Sequence, residues 1–584
     1  MPLARPIRQA RDKAPWAVAF LAALVLTAGA SPAAPLRGPL AVRVAGSGLC
    51  DVPVWMADGD QADGRFGTVA PAGDVNADGY DDVLVGAYNY DRPEADEGVV
   101  FLYLGGPGGL ATVPAWIAES NQAGARLGDK LAGAGDVNGD GYDDVIVGAA
   151  LYDSTYADAG AAFLYLGSPA GLQPEPAWVA IGDEQGEELG ACAQAAGDVN
   201  GDGYADVIVG AWLADHGELN EGRAFVYFGS DTGLVAQPGW SGESDDLLAA
   251  YGYFCASAGD VNDDGYDDIV VGARRWSGNG LTEEGRVYVY HGSPAGPSLA
   301  ADWTFDAGRE RSEAGAFTIS AGDVNGDGFD DLLVGAFRWD NPDLDEGKAM
   351  LFLGSAYGLA SAPAWEVEGG LPRNNFGYHL DGAGDVNGDG FDDVVVSAPG
   401  VDPNDLEFHN AGEATLWLGS AGGLAPAPAW TLEGDQDEMK IEAVRGVGDV
   451  NGDGFGDVAV GALYRDGEFA DAGRAWVFFG CPEGHAQVPP AMLAGVALGP
   501  AGGNPATRPA VWFSLTRPAF ARLTAFDLSG RRVAILFEGE APAGTHRVEW
   551  RGLAESGGAV PAGVYVLRLD AQGLTRRLKV GLLR

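Results

Sequence analysis

Positive charge is scarce in this chain. Lysine and arginine together number 35 against 84 aspartates and glutamates, a formal net charge of −49 at neutral pH. So acidic a surface repels phosphate backbones and anionic lipid, which argues against nucleic acid and anionic membrane as partners. The imbalance is uneven: residues 488–584 carry 12 basic against 6 acidic side chains, so the excess acid lies before them. Such a stretch attracts cations or simply stays soluble. Histidine is also sparse. His216, His291, His379, His409, His485 and His546 are scattered and fall in no H-E-x-x-H, nucleophile elbow or phosphate loop. Four cysteines form no C-x-x-C, which weakens a zinc reading. No segment sustains a helical period. Past the N-terminus no apolar run approaches the roughly 20 residues that cross a bilayer, so no membrane span is expected.

The N-terminus reads as a signal peptide over residues 1–30. Arg5, Arg8, Arg11 and Lys13 precede an apolar stretch from Ala14 to Leu26, and Ala28-Gly29-Ala30 offers a small-residue cleavage site. Export to the medium or to a bacterial cell surface is the expectation, and disulfides are then permitted.

Glycine and repetition are what the chain has in quantity. The 92 glycines follow no triplet period, which excludes a collagen-type chain. The run GDVN-x-DG begins at Gly73, Gly135, Gly197, Gly259, Gly322, Gly384 and Gly448. A tryptophan recurs at Trp55, Trp116, Trp178, Trp240, Trp303, Trp365 and Trp430. A glycine opening an apolar run recurs at Gly98, Gly160, Gly222, Gly285, Gly347, Gly412 and Gly473. Three markers each count seven, so the repeat is the organising feature. Each unit reads as four short strands rich in valine, isoleucine, leucine and aromatics, with glycine-bearing turns between them. Seven such units predict an all-β fold, a seven-bladed β-propeller over residues 47–485.

The register of the markers predicts how the ring closes. Trp55 precedes the first GDVN loop, and the last unit stops after its third strand near Phe479-Gly480. The N-terminal strand at 52–57 is therefore expected to complete the seventh blade. Cys50 and Cys481 then flank the seam, and a disulfide between them is predicted. Cys192 and Cys255 lie on the first strands of the third and fourth units, where buried thiols and a bridge are both open readings.

The loops carry the chemistry. In the first, Asp74, Asn76 and Asp78 place side-chain oxygens at alternate positions, and Gly79 allows a sharp turn. Tyr80 offers its backbone carbonyl, and Asp82 closes the set with a carboxylate. Hard oxygen donors around a tight turn are what calcium requires. The same donors recur at Asp136, Asn138, Asp140, Tyr142 and Asp144, and at Asp198, Asn200, Asp202, Tyr204 and Asp206. They recur again at Asp260, Asn262, Asp264, Tyr266 and Asp268, and at Asp323, Asn325, Asp327, Phe329 and Asp331. Asp385, Asn387, Asp389, Phe391 and Asp393, then Asp449, Asn451, Asp453, Phe455 and Asp457, complete the seven. A plain β-turn explains one Asp-Gly pair. It does not explain carboxylates at both ends of seven loops, whose repulsion calls for a cation. Calcium is the expected cofactor, ahead of magnesium, which keeps its waters. The residue before the closing aspartate varies to Ala205 and Gly456 and is assigned no ligand role.

These residues resemble the FG-GAP repeats of the integrin α-subunit propeller and its bacterial relatives. The GAP portion corresponds to Gly86-Ala87, Gly148-Ala149, Gly210-Ala211, Gly272-Ala273, Gly335-Ala336 and Gly461-Ala462, with Ser397-Ala398-Pro399 in the sixth repeat. The FG portion appears as Phe66-Gly67 and Phe376-Gly377, and more loosely as Leu127-Gly128 and Leu189-Gly190. The resemblance implies calcium on one face of the propeller and partner binding on the other. There the loops between second and third strands are long, acidic and aromatic. Trp212, Trp276 and Trp339 either form a docking surface or cover the blades.

A linker rich in proline, alanine and glycine is expected over residues 486–509. Strand-like runs over 510–584 predict a small immunoglobulin-like β-sandwich. The runs FDLSGRRVAILFEG (Phe526–Gly539) and PAGVYVLRL (Pro561–Leu569) resemble FlgD-like domains and type IX secretion sorting domains. That resemblance implies an exported bacterial protein. The expected function is a calcium-binding adhesion or binding module for an extracellular protein or glycan, not an enzyme. The alternatives are an extracellular carbohydrate- or lipid-acting enzyme and a structural envelope protein.

Overall fold

The computed structural model describes residues 42–44, 48–50, 53–278, 280–401, 410–481, 496–500, 510–515, 519–526, 531–541, 544–554, 558, 560–571 and 574–583. The expected signal peptide, much of the expected linker and residues 402–409 of the sixth repeat lie outside them. Among the described residues no helix is long and apolar enough to cross a membrane.

Seven antiparallel four-stranded sheets form the blades of a β-propeller. Blade one comprises Phe66–Gly73, Asp82–Ala87, Val99–Tyr103 and Trp116–Glu119, and the next five repeat this order. The second strand is buried at every residue, as in DVLVGA at 82–87, because neighbouring blades cover both its faces. The first strands are rich in alanine and glycine and crowd around the axis. Each contacts the first strand of the next blade through the full circle, with Ile441–Gly446 of blade seven meeting Phe66–Gly73 of blade one.

The tryptophan marker ties blades together. Each begins a fourth strand and meets an aromatic ring of the third strand edge-on, with centroids 4.7–5.0 Å apart, as in Trp116–Tyr165 and Trp430–Phe478. Those partners belong to the following blade, so each contact crosses a blade boundary. The indole N–H also donates to a carbonyl there: Trp55 to Ala111, Trp116 to Gln173, Trp240 to Ser298. Trp430 is the exception. It faces the seam, and its Nε1 has no partner among the described residues.

Closure follows the expected register. Trp55–Asp58 pairs with Arg474–Phe478 as the fourth strand of blade seven, and Arg474 grips Asp58 across that pair. Gly48–Leu49 pairs with Gly480–Cys481, and Cys50 is disulfide-bonded to Cys481. One further strand precedes the expected boundary at 47: Val42–Val44 adds a fifth strand to blade six against Trp430–Glu433. Cys192 and Cys255 are free, buried thiols, and Cys192 Sγ sits 3.0 Å from the Cys255 carbonyl.

The C-terminal residues form a small β domain of two sheets. One holds Val496–Pro500, Ala510–Leu515 and Gly544–Glu549; the other holds Arg532–Ala541, Ala519–Phe526, Gly563–Ala571 and Leu574–Leu582. Phe513, Leu523, Trp550, Leu567 and Leu569 share one core between them. The strand Val496–Pro500 corrects the expected linker. Its sequence VALGP is short and linker-like, and only pairing with Ala510–Leu515 reveals it as sheet.

Because 431 residues separate the bridged cysteines, the bridge closes a loop as long as the whole ring, in addition to the strand pairing at the seam. The double substitution Cys50→Ser, Cys481→Ser is expected to cost about 2–5 kcal/mol and to lower the calorimetric Tm by roughly 5–10 °C. In the unreduced wild type, alkylation should label no cysteine when native and two when denatured.

Candidate metal centre

The GDVN loops join first to second strands, so all seven lie on one face. Each folds around its first aspartate. Asp74 Oδ1 accepts the amide of Asp78 at 3.0 Å and Oδ2 that of Gly79 at 2.7 Å. Asn76 Oδ1 accepts the Asp78 amide, and Asp78 Oδ1 accepts that of Tyr80. The side-chain oxygens of three alternate residues therefore turn inward on one small loop. The six other loops keep the bonds of the first aspartate, from Asp136 to Asp449.

The closing aspartate anchors this loop to its blade. Asp82 is fully buried; its Oδ2 accepts the Val75 amide at 3.2 Å and its Oδ1 that of Gly105 at 2.8 Å. The same pair of bonds recurs at Asp144, Asp206, Asp268, Asp331, Asp393 and Asp457. Burial pushes the carboxyl up to about 7 at Asp82, Asp144, Asp206 and Asp331, and up to about 8 at Asp268, Asp393 and Asp457. The neighbouring charges that act on it are carboxylates of its own loop, such as Asp74 and Asp78, and they push the same way. Carboxylate, amide and carbonyl oxygens are the donors a hard divalent ion takes; among the described residues no three carboxylates of one loop bring ligand atoms within 4.8 Å of one another.

Two roles escape the sequence reading. The residue before the closing aspartate has no ligand role but ties blades together. Asp143 Oδ2 accepts the Asp74 amide at 2.8 Å, and Asp267, Asp330 and Asp392 do the same for Asp198, Asp260 and Asp323. Asp81 accepts from Asp449 at 2.7 Å, which joins blade seven to blade one. Ala205 and Gly456 lack the side chain, yet their amides still donate to the Asp136 and Asp385 carbonyls. The aromatic residue of the loop, assigned only its carbonyl, also lays its ring on the preceding loop. A Cβ at Gly452 (φ +73) would lie 2.6 Å from the Tyr80 ring, and Gly201 stands likewise beneath Tyr266. The repeat period was the available signal for both, since the same two loop positions meet at successive boundaries between adjacent units.

On the opposite face the tryptophans of the long loops are engaged within the chain. The Arg286 guanidinium lies 3.6 Å over the Trp276 ring, and Lys348 lies 4.4 Å over Trp339. Trp212 and Trp276 donate their indole N–H groups to Glu188 and Asp246. They cover the blades; an open stacking platform is not what these rings form.

Residues 66–103, 128–165, 195–227, 256–290, 316–345, 376–417 and 446–478 match the FG-GAP repeat. The propeller is built of seven FG-GAP repeats. The chain is similar to integrin alpha-5 of Xenopus laevis, 32% identical over 183 residues that make up 30% of this chain and 17% of that protein. It is similar to integrin alpha-IIb of Mus musculus, 37% identical over 170 residues, 28% of this chain and 16% of that protein. A third relative is phosphatidylinositol-glycan-specific phospholipase D of Homo sapiens, 28% identical over 400 residues, 61% of this chain and 46% of that protein. The chain spans less than half the length of each of these relatives.

The two halves of the FG-GAP motif meet across blades. A Cβ at Gly86 of one GAP would lie 2.1 Å from the carbonyl oxygen of Gly128, the FG glycine of the next blade, and Gly148, Gly210, Gly272, Gly335 and Gly461 are equally crowded. Blades six and seven break the rule together. Ser397 replaces the GAP glycine and Glu442 the FG glycine, and Ser397 Oγ donates to the Glu442 carbonyl at 2.9 Å.

Asp143→Ala leaves the Asp74 amide without its partner and is expected to cost about 1–3 kcal/mol in urea unfolding. Stability in chelator should also depend on pH. The closing aspartates hold their protons in the fold up to about 7–8, whereas an unfolded aspartate releases its proton near pH 4. Their contribution is complete below about pH 4 and is lost as pH rises towards 8. Calorimetry in chelator should show Tm falling steadily between pH 5 and pH 8.5.

Proposed function

We propose that this chain is an extracellular, calcium-stabilised binding module that engages a protein or glycan through the face opposite its GDVN loops. The repetition of one oxygen donor set in seven loops carries this reading. In each loop the first aspartate, the asparagine, the next aspartate and the closing aspartate supply side-chain oxygens, and the aromatic residue supplies its carbonyl. Bound calcium would supply the positive charge that the crowded carboxylates lack and so hold the loops together. The integrin relatives support the binding reading and an extracellular location; the signal peptide read from the sequence agrees with both. The C-terminal β domain serves, in this reading, as a surface-attachment or sorting module.

The phospholipase D relative favours a second reading, a lipid-acting hydrolase. A phosphodiesterase assay on the calcium-loaded protein separates the two: turnover abolished by substitutions in the chain supports the hydrolase and contradicts a pure binder.

Extracellular calcium modules bind with Kd of about 0.1–1 mM. At 10 mM calcium and a Kd of about 1 mM, each site adds about 1.4 kcal/mol, or about 10 kcal/mol over seven. Differential scanning calorimetry should show Tm rising by more than 10 °C from chelator to calcium, and less in magnesium. An unchanged Tm contradicts the assignment.

A further inference from the structure

The calcium loops repeat; the axis does not. Five positions before the glycine that opens each GDVN loop, the seven blades place Thr68, Lys130, Cys192, Phe254, Phe317, His379 and Ala443. All of these but Cys192 line a cavity of about 290 Å³, with Thr68 and Lys130 at one side and Phe254 and Phe317 at the other. Residues in or just before the first strands of all seven blades line it, near the starts of those strands and so on the side away from the loops. A ring stabilised only by packing would place apolar side chains here, because burying polar groups is costly.

The charges of this cavity are already matched. Lys130 Nζ lies 3.5 Å from Asp129, and Arg445 lies 3.7 Å from Asp381, whose other oxygen accepts the Gly446 amide. His379 Nδ1 lies 3.1 Å from the Val444 carbonyl, so that nitrogen carries the proton and Nε2 is an acceptor. Burial beside Arg445 and Lys130 keeps this ring neutral. Glu442, pushed up to about 7 by burial, carries at most about half a negative charge at neutral pH. The remaining polar groups are neutral: Gln194 and the hydroxyls of Tyr88, Tyr253, Tyr378 and Tyr464. Thr68 Oγ1 is buried without a hydrogen-bond partner. Opposite them Phe254, Phe317 and Tyr378 form one aromatic wall, with ring centroids 5.3 and 5.4 Å apart.

We propose that this axial cavity binds a single neutral pyranose ring, free or as the exposed end of a glycan. A pyranose has one apolar C–H face and a rim of hydroxyls that both donate and accept. The cavity matches it with an aromatic wall and a rim of mixed donors and acceptors. With each cation paired to a carboxylate and Glu442 partly protonated, the cavity offers no strong field to select an ion. The volume lies at the low end of ligand pockets, which suits one ring and not a chain segment. This assignment rests on the binding reading above and names its ligand class.

The test uses the full exported chain in calcium, probed with methyl glycosides of neutral hexoses and N-acetylhexosamines, with methyl glucuronide, and with methylguanidinium. Saturation-transfer NMR and titration calorimetry should find at least one neutral glycoside with a Kd of about 1 mM or tighter. Tyr464→Phe and Gln194→Leu should each weaken it about tenfold while leaving Tm unchanged. An oligosaccharide ending in the same sugar distinguishes the two sources: retained binding assigns a glycan end, and lost binding a free sugar. The proposal is overturned if no neutral glycoside binds, if only methyl glucuronide or methylguanidinium binds, or if both variants bind as wild type. Calcium uptake is measured in the same samples. Lost sugar binding with intact uptake overturns this assignment alone, and absent uptake with intact sugar binding overturns the calcium reading instead.

Discussion

Seven buried aspartates, each held by two backbone amides, are what the rest of this propeller depends on. Asp82 shows why. One oxygen holds Val75 at the start of its loop, and the other holds Gly105 at the end of the third strand. The loop is thereby fastened to a strand two connections further along its blade. The neighbouring Asp81 then reaches back to Asp449, and equivalent bonds pass from loop to loop. Blade geometry and ring closure thus share one short stretch of sequence. The same stretch concentrates negative charge, so the contacts that organise the ring also make it electrostatically costly without a cation.

Repetition and its interruption divide the molecule's tasks. Positions that bind the ring together, the loop donors and the crossing tryptophans, repeat from blade to blade. Positions on the axis differ from blade to blade, and the motif itself fails where Ser397 and Glu442 replace glycines on adjacent blades. That paired exception brings Glu442 into the axial cavity. Structure is carried by what recurs, and the proposed recognition site is built from what does not.

Much of this was legible in the chain. The markers predicted seven blades, and the unpaired Trp55 strand predicted both the seam and the Cys50–Cys481 bridge, because repeats convert spacing directly into position. Contacts between units were less visible. The position of Asp143 reads as a variable neighbour of a ligand until its acceptor role for Asp74, 69 residues away, is seen. The axial cavity left no signal, since its lining residues share no motif and meet only through curvature of the ring. From the sequence Trp276 reads either as a docking aromatic or as cover for its blade, and Arg286 stacked on its face makes it cover. The strand Val496–Pro500 has linker composition and becomes sheet only through its partner.

Native mass spectrometry of residues 31–584 across a calcium titration tests the central claim most directly. The account predicts successive additions ending at seven ions, and six when Asp144 is replaced by asparagine. A chain that stays metal-free at millimolar calcium would contradict it and leave the seven loops as turns alone.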